Sequence, residues 1–451
     1  MTKDYNDQDI QRRIPLPLCF IIFFSVLNGM MFQVAVPDIS KDFSLLPSEV
    51  SWVMTAYILI FALGALIYGK LADIYSDRSL ITIGLILMNT GSLIGLFSLW
   101  YPMVIVARLV QAAGGAAIPA LAMIVVTKHF PESSRGRVLG LIASTVAFAA
   151  GVGPIIGGFI SGSIHWRYLF VISLATIAAI PCFRMILPVQ KPNRNHFDTR
   201  GALLVSASTA LILIFVTENI GWMLLAGMIL FFLFVMHIRR YEVPFVSPLL
   251  FERRRYRTTL IMTFFSIGTV FGMLFMVPIM LSDLNRLRTE TIGLVIFPGA
   301  MSAVLLGSIG GRLSDRVGST VVVYLGSALL IVGFLLLSTF VGYSPWTTAL
   351  NLIVCYAGFA FLQSSLPHTV SMTLPGSQIG VGLGIFNLLF FISGAFSTAG
   401  IGRLLDMQTT DFRLNPLTVS VEGWIYSNIF VMLAGTVAAA TVFFRFAFEK
   451  D

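Results

Sequence analysis

Fourteen apolar runs follow one another along this chain, with short polar connections between them. They fall at roughly 14–36, 50–71, 79–99, 101–126, 138–160, 166–188, 201–218, 220–238, 258–281, 291–311, 321–340, 346–366, 380–402 and 424–447. About 20 apolar residues in a helix cross the hydrocarbon core of a bilayer. In lipid every backbone amide needs a partner within the protein, and a helix supplies one inside its own segment. The pattern therefore predicts an all-α membrane protein with fourteen spanning helices. The seventh and eighth runs are the least clearly divided, since only Glu218 and Asn219 part them. Two longer polar stretches, residues 190–200 and 239–257, break the series into six, two and six runs. The expected organisation is an N-terminal six-helix bundle over residues 1–190, a two-helix insertion with its linkers over 191–257, and a C-terminal six-helix bundle over 258–451.

One connection recurs. Residues 69–73 read GKLAD and residues 311–315 read GRLSD, so Gly, a cation, Leu, a small residue and Asp come twice in the same order. An internal repeat in a hydrophobic chain points to two related halves. Asp73 and Asp315 then hold equivalent places at the ends of spans two and ten, the first bracketed by Gly69, Lys70 and Arg78. A carboxylate there can accept from the N-terminus of a neighbouring helix, whose dipole favours negative charge. Such a contact would form when the halves close on that side and part when they open, which makes it a latch. The alternative is an exposed loop acid.

Only 11% of the residues are charged, against about 25% in soluble domains, and the mean hydropathy is +0.89. No soluble core could hide so much apolar surface. The net charge of +8 lies in the connections, so it does not imply nucleic acid. Cationic connections mark the cytoplasmic side. With the N-terminus inside, the outer side carries only Lys41, Arg286, Arg288, Arg403 and Arg413, while most of the 29 lysines and arginines fall inside. An even number of spans places both termini in the cytoplasm. The first run is long enough to span and lacks an obvious cleavage site, so it reads as a retained helix. Cys19, Cys182 and Cys355 all lie in apolar runs and imply no disulfide or metal framework. The basic clusters can also meet anionic headgroups at the inner leaflet.

Chemistry is sought in polar residues within spans, because a mid-bilayer charge costs at least ~2.5–3.5 kcal/mol and must face a cavity or a partner. Arg108 in span four is the clearest case, with Gln111 one turn on. Gly114, Gly115, Ala116 and Ala117 then admit a neighbouring helix. Arg108 reads either as a cavity-facing cation that binds an anion or tunes a carboxylate, or as a structural cation satisfying helix-end carbonyls. Span one offers Asn28 and Gln33, with Pro37 and Asp38 at its outer end. Amides there can meet a substrate or hold helices together. Span five carries Gly151, Gly153, Pro154, Gly157 and Gly158, a composition that permits a bend and close backbone contact. In the second half the polar groups are Asn351, Gln363, Asn387 and Ser393, with Asp283 and Glu290 beside an outer connection. His129, His165, His196, His237 and His368 lie in or near connections and read as interfacial. No metal, nucleotide or nucleophile signature is present, so neither a cofactor nor an enzymatic activity is expected.

Together these motifs resemble the major facilitator superfamily, in its fourteen-helix drug/proton antiporter branch. Residues 69–78 match the family's loop between helices two and three, departing at Ser76, where Gly is usual, and at Asp77, where a cation is usual. Arg108 and Gln111 match its helix-four R-x-x-Q, with Ala112 for a common Gly. Gly153, Pro154, Gly157 and Gly158 match its helix-five G-P-x-x-G-G, with Ala149 for an upstream Gly. HWRYLF (165–170) and FDTRG (197–201) also look like this branch. FFSVLN (23–28), YGKLAD (68–73), GVGP (151–154), IFPGAMS (296–302) and IGG (309–311) look most like the Gram-positive tetracycline/proton antiporters. The resemblance implies two six-helix bundles around a central cavity, joined by an inserted helix pair. It implies alternating access that carries substrate outward as protons enter. Gly29, Ala150 and Gly394 stand where such tetracycline exporters carry acids, and Asn28 where multidrug relatives carry Asp. Proton coupling then falls to Asp38, Asp73 or Arg108.

The expected function is a proton-coupled exporter of amphipathic small molecules in a bacterial plasma membrane. Its expected partners are the substrate, protons and the lipid bilayer, and the chain is expected to be a monomer. Asn28, Gln33, Arg108, Gln111 and Asn387 are the candidate substrate contacts. An exporter of an endogenous metabolite such as a siderophore, or a transport-deficient relative that senses a ligand, remain as alternatives.

Overall fold

The computed structural model describes residues 7–188, 198–241, 248–375, 378–407, 412–418 and 423–448. Lys3, Lys191, Arg194, His196 and Lys450 lie outside the described residues, as do most of the 190–200 connection and part of 239–257. Among the described residues fourteen helices are long and apolar enough to span a bilayer. They are α1 (Pro15–Phe43), α2 (Pro47–Leu71), α3 (Asp77–Leu96), α4 (Tyr101–His129), α5 (Ser134–Ser163), α6 (Trp166–Ile186), α7 (Thr199–Glu218), α8 (Gly221–Arg240), α9 (Arg254–Leu284), α10 (Thr289–Val317), α11 (Ser319–Thr339), α12 (Pro345–Thr373), α13 (Ile379–Asp406) and α14 (Trp424–Phe448). A short helix, Asp7–Arg13, precedes α1; Ile10 and Ile14 are buried, and Gln11 donates to the His129 carbonyl at 2.7 Å. α1 begins and α14 ends on one side of this even-numbered set, called here the near face; the opposite side is the far face.

Several helices outrun the apolar runs that announce them. α10 continues through Ser314, Asp315 and Arg316 to Val317, and α12 reaches Thr373. Hydropathy marks only the length sunk in lipid, whereas the hydrogen-bond ladder runs on wherever polar side chains can reach water. The narrow division between α7 and α8 is made by Asn219, a C-cap in the left-handed conformation at φ +55°. Two interruptions leave no mark in the hydropathy. α4 breaks at Ala116 between Tyr101–Gly115 and Ala117–His129, and α6 contains the tight turns Trp166–Tyr168 and Ala175–Ala178.

The packing repeats. α1 packs on α5, α2 on α4, α3 on α4 and α3 on α6; eight helices later α9 packs on α13, α10 on α12, α11 on α12 and α11 on α14. Between the bundles α2 lies along α13 and α5 along α10, two contacts that the same offset exchanges. This is the twofold relation between halves that the repeated GxLxD stretch suggested. α7 and α8 pack on each other, and α7 lies against α2 and α13.

The bundles meet at the far face; towards the near face α5 and α10 part, while α2 and α13 stay in contact as far as Leu66 and Gly384. A methyl group at Gly158 of α5 would stand 2.7 Å from the Thr289 carbonyl oxygen of α10, and one at Gly402 of α13 would stand 2.9 Å from the Pro47 carbonyl oxygen of α2. About 18 residues make five helical turns, so Gly140 shares the face of Gly158, and Gly311 shares the face of Gly293, which abuts the Pro154 carbonyl. Yet nothing lies within 4 Å of a methyl built at Gly136, Gly140, Gly307 or Gly311.

Candidate functional site

Arg108 is 0% exposed, deep in the first bundle. Its guanidinium lies between two rings, 3.8 Å from the Tyr57 centroid and 4.1 Å from that of Phe32. One Nη donates to Asn28 Oδ1 and to Gln111 Oε1, both at 2.8 Å, and Nε donates to the Val53 carbonyl at 3.2 Å. The two amides are held in turn. Asn28 Nδ2 donates to Ser173 Oγ at 2.5 Å, and Gln111 Nε2 to Ser92 Oγ at 2.9 Å and Ser173 Oγ at 3.3 Å. Ser173 sits on α6 just before its second tight turn, where Thr176 accepts from Asn89 of α3 at 2.9 Å. Four helices thus converge on one cation. Cation–π contact of a desolvated Arg contributes about 2 kcal/mol or more, and charge-assisted hydrogen bonds about 1.5–3 kcal/mol each. The second Nη has no partner. The guanidinium points neither into lipid nor into the splayed cleft. In this conformation it is a buried fixed charge, and the one carbonyl it meets, that of Val53, lies within α2 rather than at a helix end.

The other candidates are spread along the path between the bundles. Gln33, 5% exposed, lines a small cavity of about 10 Å³ with Met273, Val277, Ile296, Leu352 and Tyr356. That is room for about one water. Asn387 is exposed, on the face of α13 that carries Gly384 and Phe391, both opposite α2. Gly153 and Gly157 receive α1, a methyl at Gly157 standing 2.6 Å from the Met31 carbonyl oxygen. Asp73, Asp315 and half-buried Arg78 lie at the splayed near face, with both carboxylates exposed. Gly394 shows why one expected acid is missing: a methyl there would meet the Phe271 ring at 2.7 Å.

At the far face, carboxylates join the bundles. Asp38 of α1 accepts from Ser161 of its own bundle at 2.5 Å and from Thr289, in the first turn of α10, at 2.7 Å. Asp406 of α13 accepts at 3.0 Å from the backbone N–H of Ser48, in the first turn of α2. Asp406 therefore caps a helix of the opposite half, where the dipole favours it, whereas Asp38 holds its partner helix through the Thr289 hydroxyl. Glu290 accepts from Ser163 across the same seam at 3.4 Å. Asp38 and Glu290 line a vestibule of about 700 Å³ together with Lys41, Asp283, Arg286 and Tyr426. The sequence offered Asp38 and nothing for Asp406, since an acid at a span end looks like any loop acid.

Near the Gly69 loop the missed residues are Asp77 and Lys128. Buried Asp77, standing where the resemblance expects a cation, pairs with Lys128 of α4 at 3.0 Å, and Lys128 also donates to the Ala72 carbonyl at 3.3 Å. Lys128→Ala should strip the partner from a buried carboxylate. Thermal unfolding should fall by an equivalent of about 1–3 kcal/mol, and Asp77→Asn on that background should recover most of it. His237, expected as a plain interfacial residue, instead contacts buried Asp198 at 2.7 Å, while Asp198 caps α7 through the Gly201 N–H.

The profile of the Major Facilitator Superfamily matches residues 18–398. Riboflavin transporter RibZ of Clostridioides difficile (strain 630) is 26% identical over 409 residues, covering 86% of this chain and 88% of its own. Multidrug resistance protein Stp of Mycobacterium tuberculosis (strain CDC 1551 / Oshkosh) is 26% identical over 400 residues, covering 85% and 74%. Among solved structures, nucleoside transporter NupG superposes with a TM-score of 0.70 at 12% identity over 96% of this chain and 99% of its own. A bacterial homologue of the lysosomal transporter Spinster, in an inward-facing and occupied conformation, gives 0.67 at 13% identity, over 98% of this chain and 97% of its own. All four are transporters rather than enzymes. The fourteen spans, the repeated six-helix packing and a profile match over most of the length lead to one assignment: this chain is a multi-pass membrane transporter of the Major Facilitator Superfamily.

Proposed function

We propose that this transporter is a proton-coupled exporter of amphipathic small molecules, operating by alternating access in a bacterial plasma membrane with its near face in the cytoplasm. The observation that carries the reading is the pair of bundles clamped at one face and splayed at the other, with a fixed cation beside the path between them. Residues 1–190 and 258–451 would rock as units, with 191–257 joining them. Asn28 and Gln111 hold Arg108, while Gln33 and Asn387 would meet cargo as it passes between the bundles. An unneutralised guanidinium repels cations through a low-dielectric wall. The cargo should therefore be neutral, zwitterionic or anionic. The multidrug relative supports a drug as cargo. The riboflavin transporter supports a second reading, carriage of an endogenous metabolite.

Asp38 is the coupling group we assign. The Arg108 guanidinium does not release its proton in a protein, and Asp73 is exposed at the opposite face. Asp38 bonds to both bundles. In proteoliposomes driven by a pH gradient, a zwitterionic quinolone or a flavin should move and a bis-quaternary dye should not. Asp38→Asn should remove the dependence on the gradient and leave substrate exchange. Equal transport of the dication, or a gradient-driven Asp38→Asn protein, would count against the respective half of the proposal.

A further inference from the structure

A second cavity, of about 440 Å³, lies away from the path between the bundles. It is a groove walled by Ile60, Leu63, Ile67 and Leu71 on α2, by Leu80 and Ile83 on α3, and by Ser206 on α7, with Ala113 of α4 at its floor. Eleven residues of α2 separate its ends, or about 17 Å at 1.5 Å per residue. That is close to the ~15 Å of one leaflet's hydrocarbon. The groove runs from mid-membrane to the near face, where Tyr75 and Ser79 border its end.

Its lining is almost wholly carbon. Both serines turn their hydroxyls elsewhere: Ser206 donates to the Ala202 carbonyl at 2.6 Å, and Ser79 is engaged with Ser76 at 2.8 Å. A polar cargo would find little there to bind. The near-face end is cationic. Lys70 and Arg78 adjoin the lining residues Leu71 and Ser79 in sequence, and Arg200 lies in the first turn of α7, below Ser206. Of the acids in the same connection, Asp77 is already neutralised by Lys128, and exposed Asp73 offsets one of the three cations.

We propose that this groove is a binding site for one acyl chain of an anionic phospholipid, its phosphate at the level of Lys70, Arg78 and Arg200. The match of groove length to leaflet depth places the chain, and the charge at the open end selects an anionic headgroup over a zwitterionic one. The third wall exists only because α7 lies against α2. The inserted pair thereby gains a role: it converts a bare face of α2 and α3 into a lipid-filled seam.

The test uses the full-length protein in phosphatidylcholine nanodiscs containing a small fraction of phosphatidylglycerol with a diazirine in its acyl chain. Photolabel should concentrate on residues 60–83 and on α7, above the lipid-exposed residues 222–232 of α8. A phosphatidylcholine probe of the same chain should label the groove less. Each of Lys70→Gln, Arg78→Gln and Arg200→Gln should lower the anionic preference by about fivefold, the scale of one cation at an anionic surface. Ser206→Phe should block labelling from the α7 side, and Ile83→Trp does the same from the exposed rim should the first variant not fold. Even labelling of all exposed spans, no loss in either blocking variant, or equal labelling by the two headgroups would overturn the proposal. So would displacement of the label by a transported flavin or quinolone, which would make the groove an entry for cargo. The readout needs no transport, so it stands or falls apart from the exporter reading.

Discussion

Arg108→Ala is expected to raise the KM for an anionic substrate about thirtyfold. The figure is Coulombic: a unit charge about 8 Å from a bound anion, at an effective dielectric near 20, contributes about 2 kcal/mol. A neutral substrate of the same shape should lose far less. Stability should change in two opposed ways. The variant leaves Asn28 Oδ1 and Gln111 Oε1 without their donor in a site that water does not reach, at about 1–3 kcal/mol for each acceptor. It also removes a desolvated charge, which gives part of that back. The thermal midpoint should therefore fall by only a few degrees. Arg108→Lys separates charge from shape, since an ammonium keeps the field but cannot hold two amides and a carbonyl in one plane. Affinity for the anion should survive in the lysine variant while stability falls. Transport and unfolding measured on the same proteoliposome preparations decide the matter. A uniform loss for neutral and anionic substrates alike would make Arg108 a purely structural cation.

Much of this was legible from residue order, because a bilayer makes hydropathy a direct gauge of helix length. The repeat of GxLxD gave the two halves for a similar reason: it sits in a connection, where few residues are apolar and order is conspicuous. Arg108 stood out because a buried charge is costly. Its surroundings were hidden, since Phe32, Tyr57 and Ser173 lie in three other helices and nothing in their own runs distinguishes them. The break in α6 that accompanies Ser173 is equally silent in hydropathy. The far-face latch was half visible. Asp38 shares a run with Pro37, while Asp406 is recognisable only once α13 is seen against the first turn of α2. Asp77 stands out as a departure from the family pattern, but its partner Lys128 lies 51 residues on, at the end of the next helix.

Gly158→Val should be among the costliest single changes between the bundles, and it should act on one state alone. The side chain would enter the space of the Thr289 carbonyl oxygen, 2.7 Å from its first carbon, and of Gly293 Cα at 3.1 Å. Neither is a side chain that can turn away, and overpacking of this kind costs about 1–3 kcal/mol. The far face must part to relieve it, which also breaks the Asp38–Thr289 bond. A shift of about 3 kcal/mol moves the closed-to-open ratio roughly 150-fold, enough to reverse a balanced gate. Gly140→Val is the matched control. It lies about five turns away on the same face of α5, and nothing stands within 4 Å of its first carbon. It should be silent in the conformation described here and clash only when the near face closes. The two variants should then bias the transporter in opposite directions, each stopping turnover while the protein remains folded. Spin labels at Ile164 and Met407, exposed in opposite bundles at the far face, should report a longer separation for Gly158→Val than for the native chain, and no lengthening for Gly140→Val. Identical distances in both variants would mean that the glycine seam packs the bundles without gating them.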